Sequence, residues 1–331
     1  MTKMIATSLA IFVLAGLNCS AVADKHDVPL TAWGKPDLSG IWTTATLTPL
    51  ERPNDIADDK KLTLEEMAAM SVTAEKTLQA ISANPPPGTV GGYNREWLDP
   101  GMQALKDGRT ALIFDPVDGR IPWLEQAKTA SDKQRARYGK GPFNTYTDMD
   151  TGERCLSDGI TMAQLQPYNM NYQIFLTEDY LVINHEMYHE YRIIPLDGRP
   201  HIDPELGQWL GDARGHWEED TLVVVSQGFT DKSSNYWAWP WRKARPSLKL
   251  TERFKRIDTK TIDYTFTVED PAMFTQAWSA SAPMTTDQLS RGVTAGPLFE
   301  YACHEGNYAL PNVLRGARLQ EQLAARPGSG S

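Results

Sequence analysis

The chain is poor in the side chains that bind metals and carry redox chemistry: its 331 residues include only three cysteines and six histidines. It contains no Cys-x-x-Cys pair, no Gly-x-Ser-x-Gly elbow, no phosphate-cradling glycine loop and no dinucleotide fingerprint, so several large enzyme classes lack support and neither cofactor nor metal is expected. Positive charge is also scarce. Thirty-three Lys and Arg face 42 Asp and Glu, a formal net charge of −9, which supplies none of the field that a phosphate backbone requires, so nucleic acid is not an expected partner. No apolar run approaches the roughly 20 residues of a membrane-spanning helix, and stable membrane insertion is not expected. With 41% hydrophobic and 23% charged residues, the composition is that of a globular chain with enough apolar mass for a sizeable core.

The start of the chain has the layout of a cleavable export signal: Lys3, an apolar run from Met4 to Leu17, then Ala21-Val22-Ala23. Residues 1–23 are read as that signal, cleaved before Asp24, with a periplasmic or secreted destination. Cys19 raises a lipoprotein alternative, but Gly16 and Asn18 fit poorly the small-residue pattern expected before a lipidated cysteine. Cleavage leaves Cys155 and Cys303. In an oxidising compartment these two are expected to bond to each other, the alternative being two separately buried thiols.

Along the chain, Pro36-Asp37-Leu38-Ser39-Gly40-Ile41-Trp42 reads as a turn and a short strand at 39–44. Thr63 and Glu66 form a capping-box pattern at the head of a helix over 63–83, and Pro122 suits the first position of a charged helix running to about Arg137. From about residue 172 the period changes to two. Hairpins are expected over 173–183, 215–225 and 248–268, with a long strand continuing to Ile194, further strands near 275–282 and 298–303, and a closing helix over 312–324. The expected fold is mainly β: an antiparallel meander closed into a lipocalin-like barrel of about 8–10 strands, because closure removes exposed edges. Residues 24–167 supply the N-terminal strand and a helical region packed on the barrel, and 168–331 the barrel with its C-terminal helix. No internal repeat or long linker divides the chain.

Residues two apart on a strand share a face, so Leu181, Ile183, His185, Met187, His189, Tyr191 and Ile193 form one apolar face carrying two inward histidines. At strand rise these lie about 13 Å apart, too far for one metal ion. The opposite face, with Asn184, Glu186, Tyr188, Glu190 and Arg192, reads as solvent or a polar lid. Glu252 and Arg256 interrupt the stripe Leu248, Leu250, Phe254, and an inward carboxylate needs either a cationic partner or a raised pKa. His304, beside Cys303, is held by the staple. Trp237, Trp239 and Trp241 alternate along an extended segment and either stack on a flat ligand or seal one end of the barrel.

Seven blocks of the chain resemble a large group of exported bacterial proteins usually labelled only as hypothetical. They are Pro36 to Trp42, Asp115 to Pro122, Gly152-Glu153-Arg154-Cys155, Tyr168 to Ile174, Pro195 to His201, Trp209 to Trp217 and Cys303 to Tyr308. The resemblance spans nearly the whole mature chain and implies export and one shared fold. It carries no mechanism and no residue roles, and the segment at 237–241 is not part of the shared pattern.

The combined reading is an exported enzyme using cofactor-independent acid–base chemistry, of lyase or isomerase type, on a small amphipathic molecule such as an aromatic, terpenoid or sugar-acid compound. His189, Glu252 and His304 are the proton-transfer groups, Arg192 or Asn171 the oxyanion donors, and Trp237, Trp239, Trp241, Tyr191 and His185 the binding surface. A hydrolase, or a carrier that binds without reacting, uses the same groups. The sequence leaves the oligomeric state undetermined. The enzyme reading requires His189 and Glu252 to face one cavity.

Overall fold

A computed structural model describes residues 28–84, 87, 98–137, 140–157, 159, 168–233 and 240–325. The expected signal segment, Trp237 and Trp239 lie outside the described residues.

The first block folds on itself: Asp37 Oδ1 accepts from Ser39 N at 2.9 Å and Trp42 Nε1 donates to Leu38 O at 2.9 Å. Arg256 lies over the Trp42 ring at 5.2 Å and donates to Asp37 O. This fixes β1 (Gly40–Thr43). The capping box forms as the sequence predicts, with Thr63 Oγ1 accepting from Glu66 N and Glu66 Oε2 from Thr63 N, and it opens α1 (Leu64–Ile81). β2 (Ile113–Asp115) follows. The charged helix α2 (Glu125–Arg137) starts three residues later than Pro122 suggests. The intervening residues are used for docking: Trp123 bridges to Phe274, and Leu124 N donates to Met273 O.

The remaining strands are β3 (Asn171–Leu176), β4 (Tyr180–His185), β5 (Glu190–Pro195), β6 (Asp212–Glu218), β7 (Thr221–Gln227), β8 (Lys249–Arg256), β9 (Thr261–Glu269), β10 (Trp278–Ser281) and β11 (Met284–Thr285). They are followed by α3 (Ala309–Ala324). The protein is therefore mainly β, with three helices among the described residues. All strand pairs are antiparallel, in the order β5-β4-β3-β1-β11-β9-β8-β7-β6, with β10 pairing both β9 and β2. β1 sits between β3 and β11 through Trp42↔Tyr172 and Thr43↔Thr285.

The expected closure into a barrel is corrected. The hydrogen-bonded ladder has two ends, β5 and β6, and no pairing joins them among the described residues. The two edge strands meet through side chains: a Cβ added to Gly215 of β6 falls 2.5 Å from Leu196 Cδ2 and 3.5 Å from Ile194 Cγ2. The tip of Leu196 therefore packs directly against the Gly215 backbone, where a Cβ would have to displace it. The long strand to Ile194 is also corrected. It breaks after His185 at a tight turn in which Tyr188 (φ 58°) and His189 (φ 42°) adopt left-handed backbone. The expected strand at 298–303 is absent; Phe299 N is taken by Glu186 Oε1 at 2.8 Å and not by a ladder.

The concave side is filled. Trp42, Tyr172, Ile183, Leu250, Phe254, Tyr264, Phe266 and Trp278 are each at most 1% exposed and belong to one continuous core. The expected stripe of β8 and its apolar partner on β9 meet there, Phe254 opposite Tyr264 and Leu250 opposite Val268.

Cys155 and Cys303 form a disulfide, with Cα atoms 5.8 Å apart and a sequence separation of 148. Thiol titration of the denatured, unreduced protein should therefore find neither residue free. Cys303→Ser should lower the unfolding free energy by about 2–5 kcal/mol, the usual cost of losing a bridge across a long loop. A Tm insensitive to both reductant and this substitution would contradict the bond.

Candidate functional site

Arg192, read as belonging to the outer face, points inward. The turn at 186–189 reverses the alternation, so Arg192 sits opposite Ile183 and Ile194 opposite Leu181, while Tyr191 and Ile193 emerge to solvent. Across the concave side Arg192 Nη1 reaches Glu252 Oε1 at 3.0 Å, Nη2 meets Glu252 Oε2, and Nη2 also donates to Ser226 Oγ at 3.1 Å. Tyr264 Oη donates to Glu252 Oε1 at 2.8 Å. Glu252 is fully buried. Both its oxygens are taken by protein donors, and its burial leaves no face open to a substrate.

The electrostatics agree. Burial acts to lower the Arg192 pKa, but the facing Glu252 carboxylate outweighs it and holds the guanidinium above its ordinary value. Burial, with the same carboxylate beside it, pushes the Tyr264 phenol well above its ordinary range, so this hydroxyl stays a donor at neutral pH. His189 is exposed. The requirement that His189 and Glu252 share a cavity is therefore not met, and the pair is replaced by a closed ion pair inside and a lone histidine outside.

His189 lies in a different cluster. Its Nδ1 is 3.3 Å from Tyr301 O. The Tyr301 ring meets Tyr188 at 4.8 Å and stacks on Tyr168 at 6.5 Å. Tyr301 stands two residues before Cys303. Among the described residues, four of the five non-glycine positions with left-handed backbone are Cys155, Asn169, Tyr188 and His189, and these four belong to this end of the sheet. Such backbone costs about 1–3 kcal/mol per residue and persists only where surrounding structure enforces it, which marks functional regions. Here the enforcing frame is Glu186, 2% exposed. Its Oε2 accepts from Asn171 Nδ2 at 2.8 Å and Asn171 N at 3.3 Å, and its Oε1 from Phe299 N.

The other expected residues are placed as follows. Asn171 is buried, with Oδ1 accepting from Gln288 Nε2 at 3.3 Å, so its amide serves the frame and no oxyanion. His185 is buried with its ring stacked on Tyr172 at 4.6 Å and Nδ1 4.0 Å from Glu190 Oε2, away from any binding surface. Trp241 is 3% exposed, stacked on Phe266 and edge-on to Trp278 at 5.2 Å, so it belongs to the core and not to a ligand platform. His304 is exposed beside the bridge. Tyr191 is exposed on the convex face, because the turn reversed its side. A cleft of about 240 Å³ lies against α2 and α3, walled by Arg137, Phe143, Asp148, Asp150, Glu153 and Val313, and no histidine lines it.

The sequence reading missed Glu186 and the three tyrosines. Glu186 was assigned to a face read as solvent or a polar lid, because an unbroken strand places it there. The only local signal of the break was the dense polar run Asn184 to Glu190. The tyrosines come together from three separate segments, which no spacing rule connects. No family model, curated protein or solved structure matches the chain, so the site is read on its geometry alone.

Two outcomes follow for the buried pair. Glu252→Gln or Arg192→Met should each cost about 3–5 kcal/mol in denaturant unfolding, since each leaves a polar group stranded, while the apolar double variant Arg192→Met/Glu252→Leu should recover much of the loss. The Tyr264 pKa is raised, so its stabilising contribution is complete below about pH 10, the unfolded value. It declines as pH rises through the alkaline range. Above about pH 10 the unfolding free energy should fall more steeply with pH in wild type than in Tyr264→Phe, as measured by denaturant unfolding at several pH values; parallel profiles would refute the assignment.

Proposed function

We propose that the protein is an exported acid–base enzyme acting on a small planar or amphipathic molecule at the disulfide end of the sheet, with His189 as proton acceptor. The observation that carries this reading is the tautomer imposed on His189. A backbone carbonyl can only accept, so the contact with Tyr301 O puts the hydrogen on Nδ1 and the lone pair on Nε2. Nε2 makes no hydrogen bond among the described residues. The left-handed backbone at Tyr188 and His189 sets the Tyr188 ring against Tyr301 and leaves the His189 ring exposed, and tyrosine faces suit a flat ligand. In this reading the curled sheet is a barrel-like scaffold, filled and not hollow, that presents loops at its ends. A lipocalin-type carrier has less support, because the concave side is occupied by core side chains. The reaction is a proton transfer near a carbonyl or activated ring, of lyase or isomerase type, and the disulfide fits an oxidising compartment.

The test is to incubate the mature protein with a panel of aromatic, terpenoid and uronic-acid compounds, following mass change and binding together. His189→Ala should reduce turnover by about 10²–10⁴-fold, the usual contribution of a general base, with binding retained. Tyr301→Ala should weaken binding. Saturable binding without product, unaffected by His189→Ala, would overturn the enzyme reading and leave a binding protein.

A further inference from the structure

We propose a second acid–base site at the opposite end of β5, formed by His201, Asp212 and Arg214, that hydrolyses small carboxylic esters. At strand rise the six residues of β5 put this end about 20 Å from His189. His201 Nδ1 lies 2.8 Å from Asp212 Oδ2, which also accepts from Ile202 N at 3.0 Å. Arg214 Nη1 donates to Asp212 Oδ1 at 2.6 Å and to Ala213 O, and its Nε to Pro200 O. The carboxylate therefore bridges imidazole and guanidinium. The side chains of His201, Asp212 and Arg214 are 23%, 11% and 16% exposed. That exposure is enough for a small molecule to reach them and too little for the ring to turn freely.

Both supports of the dyad are rigid. Before it, Asp197 accepts from Arg199 N and Nε, and Arg199 Nη2 donates to Tyr180 Oη at 3.2 Å. The hydrogen bonds from Arg199 hold the Asp197 carboxyl at about 2, so the turn keeps its ion pair at every pH at which an imidazole serves as a base. After it, Gly211 (φ 70°) lies so close to Phe229 that a Cβ would come within 2.7 Å of the ring, and Asp212 opens β6 opposite Gln227.

With Asp212 accepting at Nδ1, the Nε2 lone pair of His201 is available, and it makes no hydrogen bond among the described residues. Arg214 Nη2 likewise has none. The step is general-base hydrolysis. As the oxygen of a water bonds to the ester carbonyl carbon, Nε2 takes a proton from that water. The Arg214 Nη2 hydrogens are the donors available to the developing oxyanion. Collapse breaks the bond to the alkoxy oxygen, which receives the proton from Nε2, so one ester and one water give one acid and one alcohol. Asp212 is a positioning residue, acting through His201. None of this depends on His189.

The experiment uses the intact oxidised protein with p-nitrophenyl acetate near neutral pH. His201→Ala should lower kcat/KM by about 10²-fold or more. His216→Ala, at an exposed histidine that hydrogen-bonds Glu218, should stay within about twofold of wild type, which separates this site from unspecific imidazole catalysis. Asp212→Asn should lower kcat by about tenfold with KM little changed, and Asp212→Glu should restore part of it. Nitrogen-15 spectra should show His201 as the Nδ1–H tautomer in wild type and as a mixture in Asp212→Asn. If His201→Ala does not fold, carbethoxylation of His201 in wild type should abolish the activity and hydroxylamine restore it. Equal losses in His216→Ala, wild-type rates in His201→Ala, or activity surviving carbethoxylation of His201 would each overturn the proposal.

Discussion

The fold is organised around one buried ion pair. Arg192 belongs to the edge strand β5 and Glu252 to β8, far along the strand order, yet their side chains meet with Tyr264 and Ser226 completing the hydrogen bonds. A flat sheet cannot bring those strands together. Two opposite charges taken out of water must find each other or stay unpaired at a cost of several kcal/mol. The pairing thus ties the outermost hairpin to the opposite wall, and it fixes the register of β5, since a shift of one residue turns Arg192 outward and Tyr191 inward. Gly215 serves the same constraint by letting Leu196 approach β6.

A concave side filled in this way leaves the rims as the places where a small molecule can meet the polar side chains. At one rim the tight turn 186–189, the bridge and Glu186 together hold left-handed residues that would not adopt that backbone unaided. At the other, Asp197, Arg199 and Gly211 position a histidine against the first residue of β6. Both rims use the same device: a histidine whose Nδ1 is held by an oxygen acceptor, carried on a loop that rigid neighbours prevent from relaxing.

Much of the fold was legible in the sequence. Thr63 and Glu66 announced α1 because a capping box acts within four residues, and the stripes of β8 and β9 announced themselves because a period of two is local. What failed was non-local. Nothing near Glu186 says that Asn171 and Phe299 will claim its carboxylate, so the break in the strand was invisible, and with it the inward turn of Arg192. Glu252 was recognised as anomalous, and the arginine partner weighed against catalysis is the one that exists. The two site histidines differ in the same way. His189 was nominated on a face assignment that the structure reverses, yet it remains accessible, whereas His201 lies in a loop without periodicity and meets Asp212 only through the return of the chain.

The position of β1 has a consequence for how the molecule is made. This strand comes from the beginning of the described chain, yet one neighbour, β3, comes from its middle and the other, β11, from near its end. Until Thr285 is available, β1 has one partner and the sheet exists as two separate pieces, each with a raw edge. Contacts of such long sequence separation slow folding, because the loop entropy is lost before the pairing returns any stability. A chain with this topology stays unfinished until its last strand is synthesised.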